Sequence, residues 1–135
     1  MNKISKALIF GFILILIDFI TKLFFVNKYV PITDFLYIST VINTGTITGI
    51  LQNWNLFFII LSLGIIGLLI YTYKKEEKLR TGLNLVIAGA IGNLTSRLIY
   101  SGVIDFIYLY PFGTFNLADI FIDLGILICI YKTIR

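Results

Sequence analysis

The sequence predicts an all-α membrane protein: four transmembrane helices, with a small β-rich extracytoplasmic element between helices 1 and 2. Three observations carry that expectation. Hydrophobic residues make up 59% of the 135 and charged ones only 13%, with a mean hydropathy of +0.98, outside the composition of soluble globular domains. Four apolar runs approach the roughly 20 residues that a helix needs to cross a hydrocarbon layer about 30 Å thick. Between the first two runs lies a segment rich in Thr, Gly and β-branched residues and poor in charge, which favours short strands over helix.

The first run covers roughly 4–26, with Lys3 and Lys6 at its start and Asp18 and Lys22 inside it. Its basic flank is that of a secretory signal peptide. The apolar stretch is too long for one, however, lacks a small-residue cleavage site and is followed by further spans, so retention is expected. The connecting segment, roughly 27–53, contains Pro31, Thr33, Thr40, Thr44, Gly45, Thr46, Thr48 and Gly49 and is expected to lie flat on the membrane surface beside the bundle. The remaining runs cover roughly 56–73, 83–99 and 117–131, and a single integral membrane domain over 1–135 follows.

Lysine and arginine near span ends set orientation. Lys74, Lys75, Lys78 and Arg80 crowd the second connection, Lys3 and Lys6 the amino end, and Lys132 and Arg135 the carboxyl end. All three regions are therefore expected on the cytoplasmic side, with the Thr/Gly-rich segment and the Ser101–Thr114 connection outside. The net charge of +4 is used up by this topology, which argues against nucleic-acid binding. Tyr29, Tyr37, Trp54, Tyr108 and Tyr110 suit interfacial anchoring. The chain has no His and one cysteine, Cys129, deep in the last run, so neither a disulfide framework nor ordinary Cys/His zinc ligation is available. No metal and no cofactor are expected.

Only seven acidic residues are present, and two of them, Asp105 and Asp119, flank one short outer connection. Ionisable groups near a bilayer are costly and tend to face a protein interior or watery cavity. A Ser–His–Asp or Cys–His arrangement needs an imidazole that this chain lacks. Two close carboxylates resist simultaneous ionisation and can share a proton, one accepting from water while the other donates toward a carbonyl. Spacing alone fits equally well an interfacial Asp105 and an Asp119 that caps the last helix.

The words around these residues form an ordered series: Gly92-Asn93-Leu94-Thr95-Ser96-Arg97, then Gly102-Val103-Ile104-Asp105-Phe106, then Phe115-Asn116-Leu117-Ala118-Asp119. Upstream stand Asp18-Phe19-Ile20-Thr21-Lys22 and Asn43-Thr44-Gly45. Together they resemble the D-x-x-T-K, N-x-G, G-x-V-x-D-F and F-N-x-A-D words of the lipoprotein signal peptidases (signal peptidase II), bacterial aspartyl proteases that remove signal peptides from lipid-modified prolipoproteins. The resemblance covers most of the chain. It implies that Asp105 and Asp119 are the catalytic pair, cleaving just before a cysteine that carries diacylglycerol. It further implies that Asn43, Asn93, Arg97 and Asn116 line or organise the site, and that the partners are a diacylglyceryl-modified prolipoprotein and membrane lipid.

Each supporting residue also has its own physical reading. Arg97 can hydrogen-bond substrate carbonyls or form a structural ion pair; Asn93 lies four positions earlier on the same helix face; Asn116 could instead be a helix cap. Asp18 and Lys22 form an i,i+4 pair expected to hold span one in place. The chain departs from the family at Ser96, where an aspartate usually precedes the arginine, and at Thr48, where Phe is common, and its Asp105–Asp119 connection is shorter. Asp123, four residues after Asp119, is expected either to pair with Arg97 in place of the missing carboxylate or to partner another buried polar group. The chain is expected to work as a monomer in the cell membrane. Rival readings are a catalytically impaired relative that binds lipidated precursors, and a small membrane transporter using intramembrane Asp and Lys.

Overall fold

The computed structural model describes residues 3–45 and 54–135; Thr46, Thr48 and Gly49 lie outside the described residues. In chain order the elements are helix α1 (Lys3–Phe25), strands β1 (Tyr29–Pro31) and β2 (Leu36–Asn43), helix α2 (Asn55–Lys75), a 3-10 turn (Glu77–Leu79), helix α3 (Arg80–Tyr100), strands β3 (Val103–Leu109) and β4 (Gly113–Phe115), and helix α4 (Leu117–Ile134). Three helical stretches, Ser5–Phe25, Asn55–Lys75 and Glu77–Tyr100, are long and apolar enough to cross a membrane. The fourth helix is shorter, 18 residues, and carries Asp119 and Lys132 in its first and last turns.

Helix α3 is the hub, with α1, α2 and α4 all packed on it. Small residues make this possible. A Cβ on Gly82 would sit 2.6 Å from the Gly125 carbonyl oxygen, and a Cβ on Gly125 equally 2.6 Å from that of Gly82. The two glycines therefore let the α3 and α4 backbones touch, as small residues do between helices in lipid, where close van der Waals packing replaces the hydrophobic effect. Gly92 leaves the space that the Asp18 carboxylate occupies, since a Cβ there would lie 2.6 Å from Oδ2. Helix α2 leans on α3 by one side, with Ile66 its one buried residue among those described, and the outer faces of α1 and α2 expose rows of Leu, Ile and Phe.

The four strands form one antiparallel sheet in the order β1-β2-β3-β4. Half of it comes from the connection between α3 and α4. The β-rich element is therefore not confined to the segment between helices 1 and 2, as expected from the sequence; the connection expected to be plain supplies β3 and β4. Strand β3 is specified by pairing with β2, 60 to 73 residues earlier in the chain (Asn43 opposite Val103, Leu36 opposite Leu109), which no local pattern announces. Ile104 and Phe106 are buried, and the Phe106 ring stacks on Phe25 at the end of α1, with centroids 4.9 Å apart. The Thr40 hydroxyl donates to the Phe25 carbonyl at 2.6 Å. Sheet and bundle are thereby joined at one end of the helices.

Substituting Gly125 by Leu is expected to lower the melting temperature in detergent by several degrees, since overpacking costs typically 1–3 kcal/mol. Gly64→Ala, where a Cβ meets open space, is expected to leave it unchanged or slightly higher. Differential scanning fluorimetry of the two variants checks both.

Candidate active site

Asp105 meets its partner Asn43 through a sheet irregularity. Between the pairs Ile38–Ile107 and Val41–Asp105, β2 holds one residue more than β3, a bulge that advances the side-chain alternation by one position. Asn43, opposite Val103, consequently shares a face with Asp105 and donates from Nδ2 to Asp105 Oδ2 at 3.1 Å. In an unbulged ladder Ile42 would take that position.

Asp119 is positioned by the start of α4. Asn116 is the N-cap: its side-chain oxygen accepts from the Asp119 N–H at 3.1 Å, and Asp119 Oδ2 accepts from the Asn116 N–H at 3.1 Å. This reciprocal capping box satisfies two helix-end donors and commits the Asn116 oxygen. Its NH2 therefore faces the other way, donating to Asp105 Oδ1 at 2.6 Å and to Asn93 Oδ1 at 3.2 Å. The capping role and the site role expected separately of Asn116 are filled by one side chain.

Asn93, from α3, closes the cluster. Its oxygen accepts from Lys22 Nζ at 3.1 Å, and because an ammonium has only donors, the amide must present its oxygen on that side. Nδ2 is then aimed at Asp119 Oδ1, 2.8 Å away. Lys22 is also paired with Asp18 Oδ2 at 2.8 Å, both side chains almost fully buried. Asp18 Oδ1 in turn accepts the Ala118 N–H at 2.9 Å, so a residue of α1 satisfies a free donor in the first turn of α4.

Asp105, buried on both faces of β3, has its carboxyl pushed up to about 6. Burial is the main cause and the nearby Asp119 charge adds to it, against the hydrogen bonds from Asn43 and Asn116 and the Lys22 charge. Asp105 and Asp119 both line a cleft of about 840 Å³. Arg97 stands in the same cleft wall, its guanidinium 4.6 Å from the centre of the Phe58 ring and Nη2 3.4 Å from the Gly45 carbonyl. Its Nη1 is buried without a partner. No group of three or more His, Cys, Asp or Glu able to hold a metal ion is found among the described residues. Two carboxylates held beside a cleft by shared amides, one of them with its proton affinity raised toward the neutral range, can activate water and pass protons.

A family model described as "Signal peptidase (SPase) II" matches residues 10–135. The chain belongs to the signal peptidase II family. The lipoprotein signal peptidase of Thermodesulfovibrio yellowstonii is 38% identical over 146 residues, covering 98% of this chain and 97% of the relative. That of Shouchella clausii is 37% identical over 131 residues, covering 89% and 87%. A solved structure described as a bacterial membrane enzyme, at 2.3 Å resolution, superposes with a TM-score of 0.89 at 26% identity, covering 98% of this chain and 90% of that one. The chain is thus a protease of this family and a multi-pass membrane protein.

Two expectations concerning this peptidase are revised by the geometry. Ser96, where the family usually carries an acid, is buried, and its Oγ accepts the Ile104 N–H at 3.0 Å, anchoring the first residues of β3 without a charge. The ion pair expected between Arg97 and Asp123 does not form. Among the described residues the ion pairs are Asp18–Lys22 and Glu77–Arg80, while Asp123 is exposed on α4 and lines the cleft. Arg97 turns instead toward Phe58, which the sequence does not mark because it is one phenylalanine in an apolar run, and toward the backbone carbonyl of Gly45, the last residue of the Asn43-Thr44-Gly45 word.

With its folded value near 6 against an ordinary 3.8, Asp105 binds its proton more tightly in the folded state. The resulting stabilisation is complete below about pH 4 and is lost as pH rises through about 6, up to roughly 3 kcal/mol. Wild-type melting temperature is expected to fall between pH 4.5 and 7.5 more steeply than that of Asp105→Asn. Parallel pH profiles for the two would contradict this.

Proposed function

We propose that the chain is a membrane aspartyl endopeptidase that cleaves diacylglyceryl-modified prolipoproteins just before the lipidated cysteine, with Asp105 and Asp119 as the catalytic pair. The observation that carries this reading is the single amide cluster, Asn93 with Asn116, that hydrogen-bonds both carboxylates at the wall of one cleft.

The pair carries one proton between them, because two adjacent buried carboxylates do not ionise together. Asp105 holds it, given its raised value, and Asp119 is the base. Water attacks the scissile carbonyl while giving a proton to Asp119, and Asp105 gives its proton to the carbonyl oxygen. As the tetrahedral intermediate collapses, the C–N bond breaks, the departing amine takes the proton from Asp119, and the hydroxyl proton returns to Asp105. No covalent enzyme intermediate is formed. Arg97, with a donor to spare, holds a substrate backbone carbonyl, and Asn43 fixes the Asp105 carboxyl. Asp18 and Lys22 support Asn93 and the start of α4 from behind, and Asp123 lines the cleft beyond Asp119.

In this reading all four helices span the bilayer as one integral domain, α4 with its charges toward the cleft and the helix ends. The basic ends of the helices and both termini are cytoplasmic, and the sheet and the aspartates lie at the extracytoplasmic face. The lipid chains and signal helix of the substrate enter sideways from the bilayer, and one copy of the chain suffices.

Asp105→Asn and Asp119→Asn are each expected to reduce cleavage of a purified diacylglyceryl-modified prolipoprotein by at least about 10³-fold, the scale of losing a positioned acid or base, while remaining in the membrane fraction. Wild-type cleavage rates in both variants would sink the assignment.

A further inference from the structure

At the end of the bundle opposite the sheet, a second cleft of about 450 Å³ opens between α1 and α2. These two helices both pack on α3 and scarcely touch each other. Lys6 and Phe10 of α1 form one wall, Tyr73 and Glu77 the other, and Arg80 and Asn84 of α3 the floor. Arg80 is held in place: Nε donates to the Tyr73 carbonyl at 3.2 Å and Nη1 is paired with Glu77 at 2.9 Å. That leaves Nη2 for an occupant. Lys6 is exposed and makes no ion pair among the described residues. Two cations against one anion line the cleft, and Lys74, Lys75 and Lys78 lie on the same turn of chain.

We propose that this cleft binds the phosphodiester headgroup of an anionic phospholipid, with Arg80 Nη2 and the Lys6 ammonium on the phosphate. Charge fixes the occupant as an anion. Its surroundings make it a lipid: Phe10, in the cleft wall, is 45% exposed and leads onto apolar helix faces long enough for acyl chains, where basic pockets between membrane helices take acidic headgroups. The pre-ordered guanidinium, planar with its donors in a fixed fork, suits a phosphate better than a free lysine would. The proposal rests on the chain's place in a membrane and not on the catalytic assignment of the aspartates.

The test is native mass spectrometry of the full chain released from delipidated micelles loaded with equal phosphatidylglycerol and phosphatidylcholine, on wild type, Lys6→Gln, Arg80→Gln and Lys132→Gln. Lys132 is a basic residue in the last turn of α4, outside the cleft but at the same end of the bundle. Wild type is expected to retain phosphatidylglycerol preferentially, with the preference falling about fivefold in each cleft variant and unchanged in Lys132→Gln. Lys6→Gln alters an exposed side chain, so its result does not depend on refolding. No preference in wild type, an equal fall in Lys132→Gln, or release of the lipid by inorganic phosphate alone would overturn the proposal.

Discussion

The hydrogen bond from Lys22 Nζ to Asn93 Oδ1 is the contact from which the arrangement of the site follows. An amide can face either way, and in most settings the two choices differ little. Here the ammonium, itself committed to Asp18, admits only an acceptor. The Asn93 oxygen must face Lys22, its NH2 must face Asp119, and the same oxygen receives Asn116. The capping box independently sends the Asn116 NH2 toward Asp105. Two separate constraints thus agree on one orientation for every polar group, which is what lets a buried polar cluster specify a unique structure. Each acid ends as an acceptor of two hydrogen bonds, held but still open to the cleft.

The rest of the fold delivers side chains to this cluster from four directions. Glycines on α3 admit the Asp18 carboxylate and the α4 backbone at close range, without which Lys22 and Asn116 would not meet at Asn93. The bulge in β2 brings Asn43 rather than Ile42 to Asp105, while Thr40 within the bulge fastens the strand to the end of α1. Ser96 holds the neighbouring strand by its backbone. Helix packing, sheet register and helix capping therefore converge on one cluster of side chains.

Much of this was legible in the sequence and some of it was not. The three most apolar spans announce themselves by length, since a bilayer admits little else, and the Asp18–Lys22 pair is visible at helical spacing. The ordered polar words named every residue of the cluster. What they could not give is relations between distant residues. Strand β3 pairs with a partner in the first connection, so its Val103–Leu109 stretch passes for an apolar loop. The Ala118 N–H that Asp18 accepts is 100 residues away. The Arg97–Asp123 pairing failed for a similar reason: helical periodicity puts Asp123 on the face of Asp119, but the direction Arg97 takes is set by Phe58 and by a backbone carbonyl.

Exchanging donor and acceptor across the Asn93–Asp119 hydrogen bond probes the orientation of the cluster. Asn93→Asp keeps the acceptor for Lys22 but removes the donor to Asp119, leaving two carboxylates face to face. Adding Asp119→Asn supplies a new donor to the exchanged acid, while its remaining oxygen still accepts the Asn116 N–H. Thermal melting at pH 7 is the measurement. The single variant is expected to lose stability on the scale of an unmade buried hydrogen bond, about 1–3 kcal/mol, and the double variant to recover most of it while staying inactive. A single variant that melts like wild type, or a double variant no more stable than the single, would contradict the orientation on which the site depends.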